Sequence, residues 1–66
     1  MTVVLNGEER SCREGWTLAD LVADLRLTGR RIAVEVNRNI IPHDEYVNYR
    51  LQAGDEIEVV HFVGGG

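Results

Sequence analysis

The sequence closes on Gly64, Gly65 and Gly66, directly after the apolar run VVHFV. Glycine carries no side-chain functional group, so the reactive group such a run can deliver is the main-chain carboxylate of Gly66. Without Cβ atoms, consecutive glycines pass a narrow constriction and adopt dihedrals closed to other residues. Fully extended, three of them reach roughly 10 Å beyond the last folded residue. A plainer account stands beside this one: chain ends fray, and small residues accumulate there. These residues alone are compatible with a working end and with a frayed one.

The other chemistry-bearing residues form no set. Cys12 is the single cysteine, and no neighbouring base or helix start is evident to activate its thiol, so inert packing is the expectation. His43 and His61 are isolated, with no Cys-x-x-Cys or His-x-x-x-His companion, and no metal site is expected. There is no glycine-rich phosphate loop followed by lysine, so the chain is not expected to bind ATP by itself. No Ser/His/Asp arrangement points to catalysis, and an enzyme is the least favoured class. Asp44, Glu45, Asp55, Glu56 and Glu58 read as a mostly solvated face, a minority of which pairs with arginines on a partner.

Whatever acts here must be positioned by a small domain. The chain has 66 residues, room for one core and none for a deep cleft, which favours a protein that docks or is acted upon. Its seven basic residues are all arginine, against eleven acids, for a net charge of −4. That balance argues against a nucleic-acid partner and fits a basic protein surface. With a lone cysteine in so small a domain, a reducing cytoplasm is the expected compartment. Short apolar runs and the lack of an apolar leader give no expectation of export or of membrane insertion.

The elements follow from period and punctuation. MTVVLN reads as a strand, Asn6-Gly7 as a hairpin turn, and ERSCR as a poorly apolar returning strand suited to a sheet edge. In EGWTLADLVADLRLTG, Leu18, Leu21, Val22 and Leu25 share one helical face. Thr17 is the expected N-cap with Asp20 completing a capping box, Trp16 the expected staple onto Leu21, and Gly29 the expected left-handed stop. RIAVEV is a strand, NRN a turn, and the isoleucines before Pro42 a short strand. HDEYVNYRL allows one helical turn capped by Asp44, AGDE turns the chain, and EIEVVHFV is the last strand. Alternation there sets Ile57 and Val59 toward the helix, with Val60 and Phe62 on the opposite face. The order β-β-α-β-β-(short helix)-β describes an α+β domain over residues 1–63, with a flexible glycine tail at 64–66.

Taken together, LNGEE, TLADLVADL, RIAVEVNRNIIP and above all AGDEIEVVHFVGGG resemble the small ubiquitin-like sulfur carriers of the β-grasp fold. Within that family the likeness is greatest to the thiamin-pathway branch, which supplies sulfur for the thiazole ring. The last stretch is the specific one, joining a Gly-Asp turn, an apolar strand and a bare terminal di-glycine. His43 stands where many members have arginine, and Tyr46 where tryptophan is frequent. The molybdopterin-pathway carriers, which share the fold, tend to be longer and often carry prolines before the di-glycine. This tail has none, which tilts the assignment toward thiamin.

The resemblance implies a mixed sheet of about five strands with one main helix packed on one face, the last strand being central. It implies that an E1-like adenylating enzyme activates the Gly66 carboxylate using ATP and magnesium, both held by that partner. A persulfide sulfur-donor protein then supplies the sulfur of a thiocarboxylate, which passes to the thiazole synthase. Gly64 and Gly65 would thread the partner's channel. Because one helix can cover only one sheet face, Val60 and Phe62 are expected to form the docking patch. The plainer account is that Phe62 covers a corner of the core or is a stray exposed apolar residue. The free carrier is expected to be a monomer. The same tail chemistry would serve a molybdopterin carrier or a ubiquitin-like modifier conjugated through Gly66, though without lysine the chain cannot build lysine-linked chains of itself.

Overall fold

The computed structural model describes residues 1–62; the expected domain boundary at residue 63 and the glycine tail at 64–66 lie outside them. Two hairpins frame the sheet. Strands β1 (Thr2–Leu5) and β2 (Glu8–Ser11) pair antiparallel with Leu5 opposite Glu8, which leaves Asn6 and Gly7 as the loop. Both have positive φ, 49° and 84°, the type I′ geometry whose twist matches the flanking strands. Strands β3 (Ile32–Val36) and β4 (Asn39–Ile40) repeat the device through Asn37 and Arg38, at φ 51° and 71°. The last strand, β5 (Glu56–His61), lies between the hairpins, parallel to β1 and antiparallel to β3. The resulting order is β2-β1-β5-β3-β4, with the apolar-poor β2 at an edge.

One helix crosses this sheet, α1 (Leu18–Asp24). Its first three N–H groups, which have no partner inside the helix, are all satisfied. Leu18 donates to the Tyr49 carbonyl at 2.8 Å and Ala19 to the Tyr46 carbonyl at 3.0 Å. Asp20 donates to the Thr17 hydroxyl at 3.3 Å, while its carboxylate accepts the Thr17 N–H at 2.8 Å. The capping box is therefore complete with aspartate in place of glutamate.

The helix stops earlier than its glycine suggests. Leu25 is the C-cap and Arg26 takes the left-handed conformation at φ 61°. The Arg26 N–H reaches the Ala23 carbonyl at 2.9 Å and the Leu27 N–H the Val22 carbonyl at 3.0 Å, a Schellman closure. Gly29, at φ 80°, serves the following turn instead. A β-carbon in this conformation is strained, so Arg26→Gly is expected to stabilise the protein by roughly 0.5–1 kcal/mol. Urea denaturation checks it; an unchanged or lower midpoint would show that the arginine side chain contributes more than the strain removes.

Leu18, Leu21 and Val22 of α1 join Val3, Val34, Val36 and Ile57 of the sheet in one buried cluster, against which Trp16 is partly buried. Pro42, not Asp44, precedes the short 3-10 turn His43–Glu45, and no side chain caps it. Asp44 lies inside the turn because proline already fixes the entry dihedral and places the first carbonyl. With a single helix on one face, the opposite face of the sheet is left open among the described residues.

The end of the central strand as candidate functional site

The register of β5 decides what its two faces present. Ile57 stands opposite Val36 and Val59 opposite Val34, both pairs turned toward α1. Val60 stands opposite Ala33 and so points to the open face. Val60 and Phe62 are 53% and 54% exposed. Phe62 extends the ladder one step past β5, its N–H donating to the Arg31 carbonyl at 2.9 Å. Of the residues singled out for chemistry, the structure thus places Val60 and Phe62 on one exposed face at the chain's outgoing end. Gly64, Gly65 and Gly66 lie outside the described residues.

The open face also carries charge. Glu58 stands directly opposite Glu35, Glu35 in turn opposite Ile40, and Glu56 is in register with Val4 of β1. Like charges facing each other across strands destabilise a sheet by a few tenths to about 1 kcal/mol. Among the described residues the ion pairs are Met1 with Glu14 and Arg10 with Asp24, so these three glutamates have no cationic partner there. Ile40, 72% exposed, adds to the apolar part of the surface. Neither Glu35 nor Ile40 was singled out from sequence, since only the β3–β4–β5 register lines them up with Glu58 on the open face.

Two asparagines grip β5 from the turns on either side. The Asn6 carboxamide accepts the Val59 N–H at 2.8 Å and donates to the Val59 carbonyl at 3.3 Å. The Asn37 side chain accepts the Glu56 N–H at 3.0 Å and donates to the Asp55 carboxylate at 3.1 Å. Asp55 also accepts the Gln52 N–H at 2.9 Å and is buried. This corrects its assignment to the solvated acidic face: its oxygens pair with specific donors, which lets a carboxylate sit inside.

The remaining candidates hold no chemistry of this kind. Cys12 is buried, and burial pushes its thiol above the ordinary range while the Arg10 guanidinium pulls weakly the other way. A raised, enclosed thiol is a poor nucleophile at neutral pH. His43 packs against Tyr46 with ring centroids 5.1 Å apart. Among the described residues no three His, Cys, Asp or Glu side chains gather as a metal ion would require, and no helix is long and apolar enough to cross a membrane.

Comparison with known proteins places the chain. The model of the ThiS family matches residues 3–66. The sulfur carrier protein ThiS of Bacillus subtilis is 40% identical over 63 residues, which cover 94% of this chain and 96% of that protein. A thiazole synthase of Paramagnetospirillum magneticum is 39% identical over 66 residues, but the chain spans only about a fifth (20%) of its length. The crystal structure of the thiamine biosynthesis protein ThiS from Geobacter metallireducens superposes with a TM-score of 0.83 at 23% identity, each chain covered in full. That likeness identifies the mixed sheet and single helix as the ubiquitin-like β-grasp fold. With the family model over nearly its whole length and a full-length relative at this identity, the chain belongs to the ThiS family.

Proposed function

We propose that this protein is the sulfur carrier for the thiazole ring of thiamin, with the Gly66 carboxylate as the group that carries sulfur. The observation that supports it most is the likeness, along almost the entire chain, to a sulfur carrier protein of nearly the same length. A carboxylate is a weak electrophile, so it must first be activated. In the E1-like partner, a Gly66 oxygen attacks the α-phosphorus of ATP, and pyrophosphate leaves. The outer sulfur of a persulfide on the donor protein then attacks the acyl carbon and AMP departs. Cleavage of the resulting acyl disulfide by a second thiol leaves the thiocarboxylate. ATP and magnesium belong to the partner; this chain supplies a substrate, its docking surface and its strand-borne tail, in the cytoplasm and as a monomer when free.

The thiazole synthase is the proposed acceptor. Two relatives that match the full length of this chain are thiazole synthases about five times as long, so a segment similar to this chain makes up about a fifth (20%) of each. Both partners dock on the open sheet face, where Val60 and Phe62 form an apolar centre, with Glu58 and Glu35 one same-face step behind Val60 and Glu56 a further step back. The unpaired glutamates fit a partner surface that offers arginine or lysine around an apolar hollow.

ATP-dependent pyrophosphate release by a family activating enzyme tests this reading, with the carrier titrated as substrate. Release that saturates with carrier supports it; none with any such enzyme contradicts it. Phe62→Ser is expected to fold normally and to raise the carrier's KM about ten-fold or more, as truncation of a central apolar anchor does. Equal turnover of wild type and variant at limiting carrier would remove Phe62 from the docking surface.

A further inference from the structure

The parallel pairing of β1 with β5 is short, Val4 with Glu56 and Leu5 with Ile57, after which β1 turns away at Asn6 and Gly7. In β5 and the residue just before it, the odd-numbered positions direct their backbone groups toward β1: the Asp55 and Ile57 carbonyls accept the Val4 and Asn6 N–H groups, each at 2.8 Å. Val59 is the next residue to face that side, and no backbone of β1 is left to meet it. The Asn6 carboxamide takes the place of the missing peptide, donating and accepting at once. Past Val59, among the described residues, the strand is held on the β3 side alone, through the pair Ala33–Val60 and the Phe62-to-Arg31 bond.

We propose that Asn6 is a positioning residue for sulfur transfer: its side chain supplies the last rung on the β1 side of β5 and so fixes where the glycine tail departs from the sheet. This rests on the reading of Gly66 as the activated terminus. Asn6 sits at φ 49° in the first place of a type I′ turn, where glycine is equally at home. Asn6→Gly therefore removes the rung and keeps the turn. Asn6→Asp retains an acceptor for the Val59 N–H but loses the donor to the Val59 carbonyl. Asn37→Gly is the matched control, since Asn37 has the same turn position at φ 51° but holds the opposite end of β5.

The test joins amide hydrogen exchange on the full chain to carrier kinetics with an activating enzyme. In Asn6→Gly the exchange of Val59 and of Phe62, whose own bond to Arg31 is untouched, is expected to rise about ten-fold relative to the amides of β1 and β2. KM for the carrier should rise about five-fold with kcat little changed, because the tail reaches the same reactive state from a wider ensemble. Asn6→Asp should recover part of both effects, whereas Asn37→Gly should lower global stability without raising KM. If only Val59 responds, with Phe62 exchange unchanged, the rung is a local bond and the proposal is wrong. It is equally wrong if Asn37→Gly raises KM as much as Asn6→Gly. Should wild-type carrier not be activated at all, the sulfur-carrier reading fails, and Phe62 exchange still decides whether Asn6 orders the end of β5.

Discussion

Deleting Gly66 should abolish ATP-dependent activation while leaving the folded domain intact. The activating site must hold the terminal carboxylate in line with the α-phosphate of ATP. Loss of one residue withdraws that group by about 3.5 Å in an extended chain. A misplacement of 1 Å can already lower a rate about 100-fold, so the deletion should reduce activation by at least that factor. The deletion removes nothing from the cluster of α1 with β1, β3 and β5, and the urea midpoint should match wild type. Gly65→Ala should act in the same direction, since on the proposed function the tail threads a narrow channel in the partner that an added methyl group would obstruct. Activation of the deleted protein at the wild-type rate would mean that the glycines are a passive end.

Leu21→Ala should remove a large part of the stability of the domain. Leu21 is 0% exposed and lies where the helix meets the sheet. Truncating a buried leucine leaves a cavity and costs about 2–5 kcal/mol. A domain of this size holds only about 3–10 kcal/mol in total. The expected result is a loss of about 3 kcal/mol in urea denaturation and a fall of at least about 10 °C in Tm. A loss below about 1 kcal/mol would show that the sheet closes over the site, so that α1 is not the element that holds it together.

The local grammar of this sequence was largely legible. Asn6-Gly7 marks its hairpin because both positions need positive φ, and Thr17 with Asp20 marks the helix start because both partners of the capping box lie within four residues. Alternation in β5 separated Ile57 from Val60 and Phe62 correctly. What escaped depends on partners distant in sequence or on a residue acting against its preference. Arginine rarely adopts the left-handed conformation, so Arg26 gave no sign of ending the helix, and Gly29 appeared the better stop. Asp55 looked solvated because its carboxylate is answered by Asn37, eighteen residues away. The Asn6 rung joins residues 53 apart, and only the short β1–β5 pairing explains it. The facing pair of Glu35 and Glu58 likewise emerges from register alone.

The same register gives the open face its logic. An apolar patch at the outgoing end of β5, with uncompensated glutamates one rung behind it, lowers the stability of the free sheet and favours a complex in which basic groups meet those charges. On the proposed function, partner recognition and tail delivery share one strand, with Val60 and Phe62 as its docking residues.

The most direct test of sulfur carriage is the intact mass of the protein after incubation with ATP, an activating enzyme and a persulfide donor. Replacement of one carboxylate oxygen by sulfur nearly coincides in nominal mass with oxidation of Met1 or Cys12. High-resolution mass of the C-terminal fragment, with the Gly66-deleted protein alongside, separates them. The account predicts a sulfur-for-oxygen shift confined to that fragment, dependent on ATP and absent from the deletion. An unshifted C-terminal fragment, with the activating enzyme shown competent on another carrier, would contradict it.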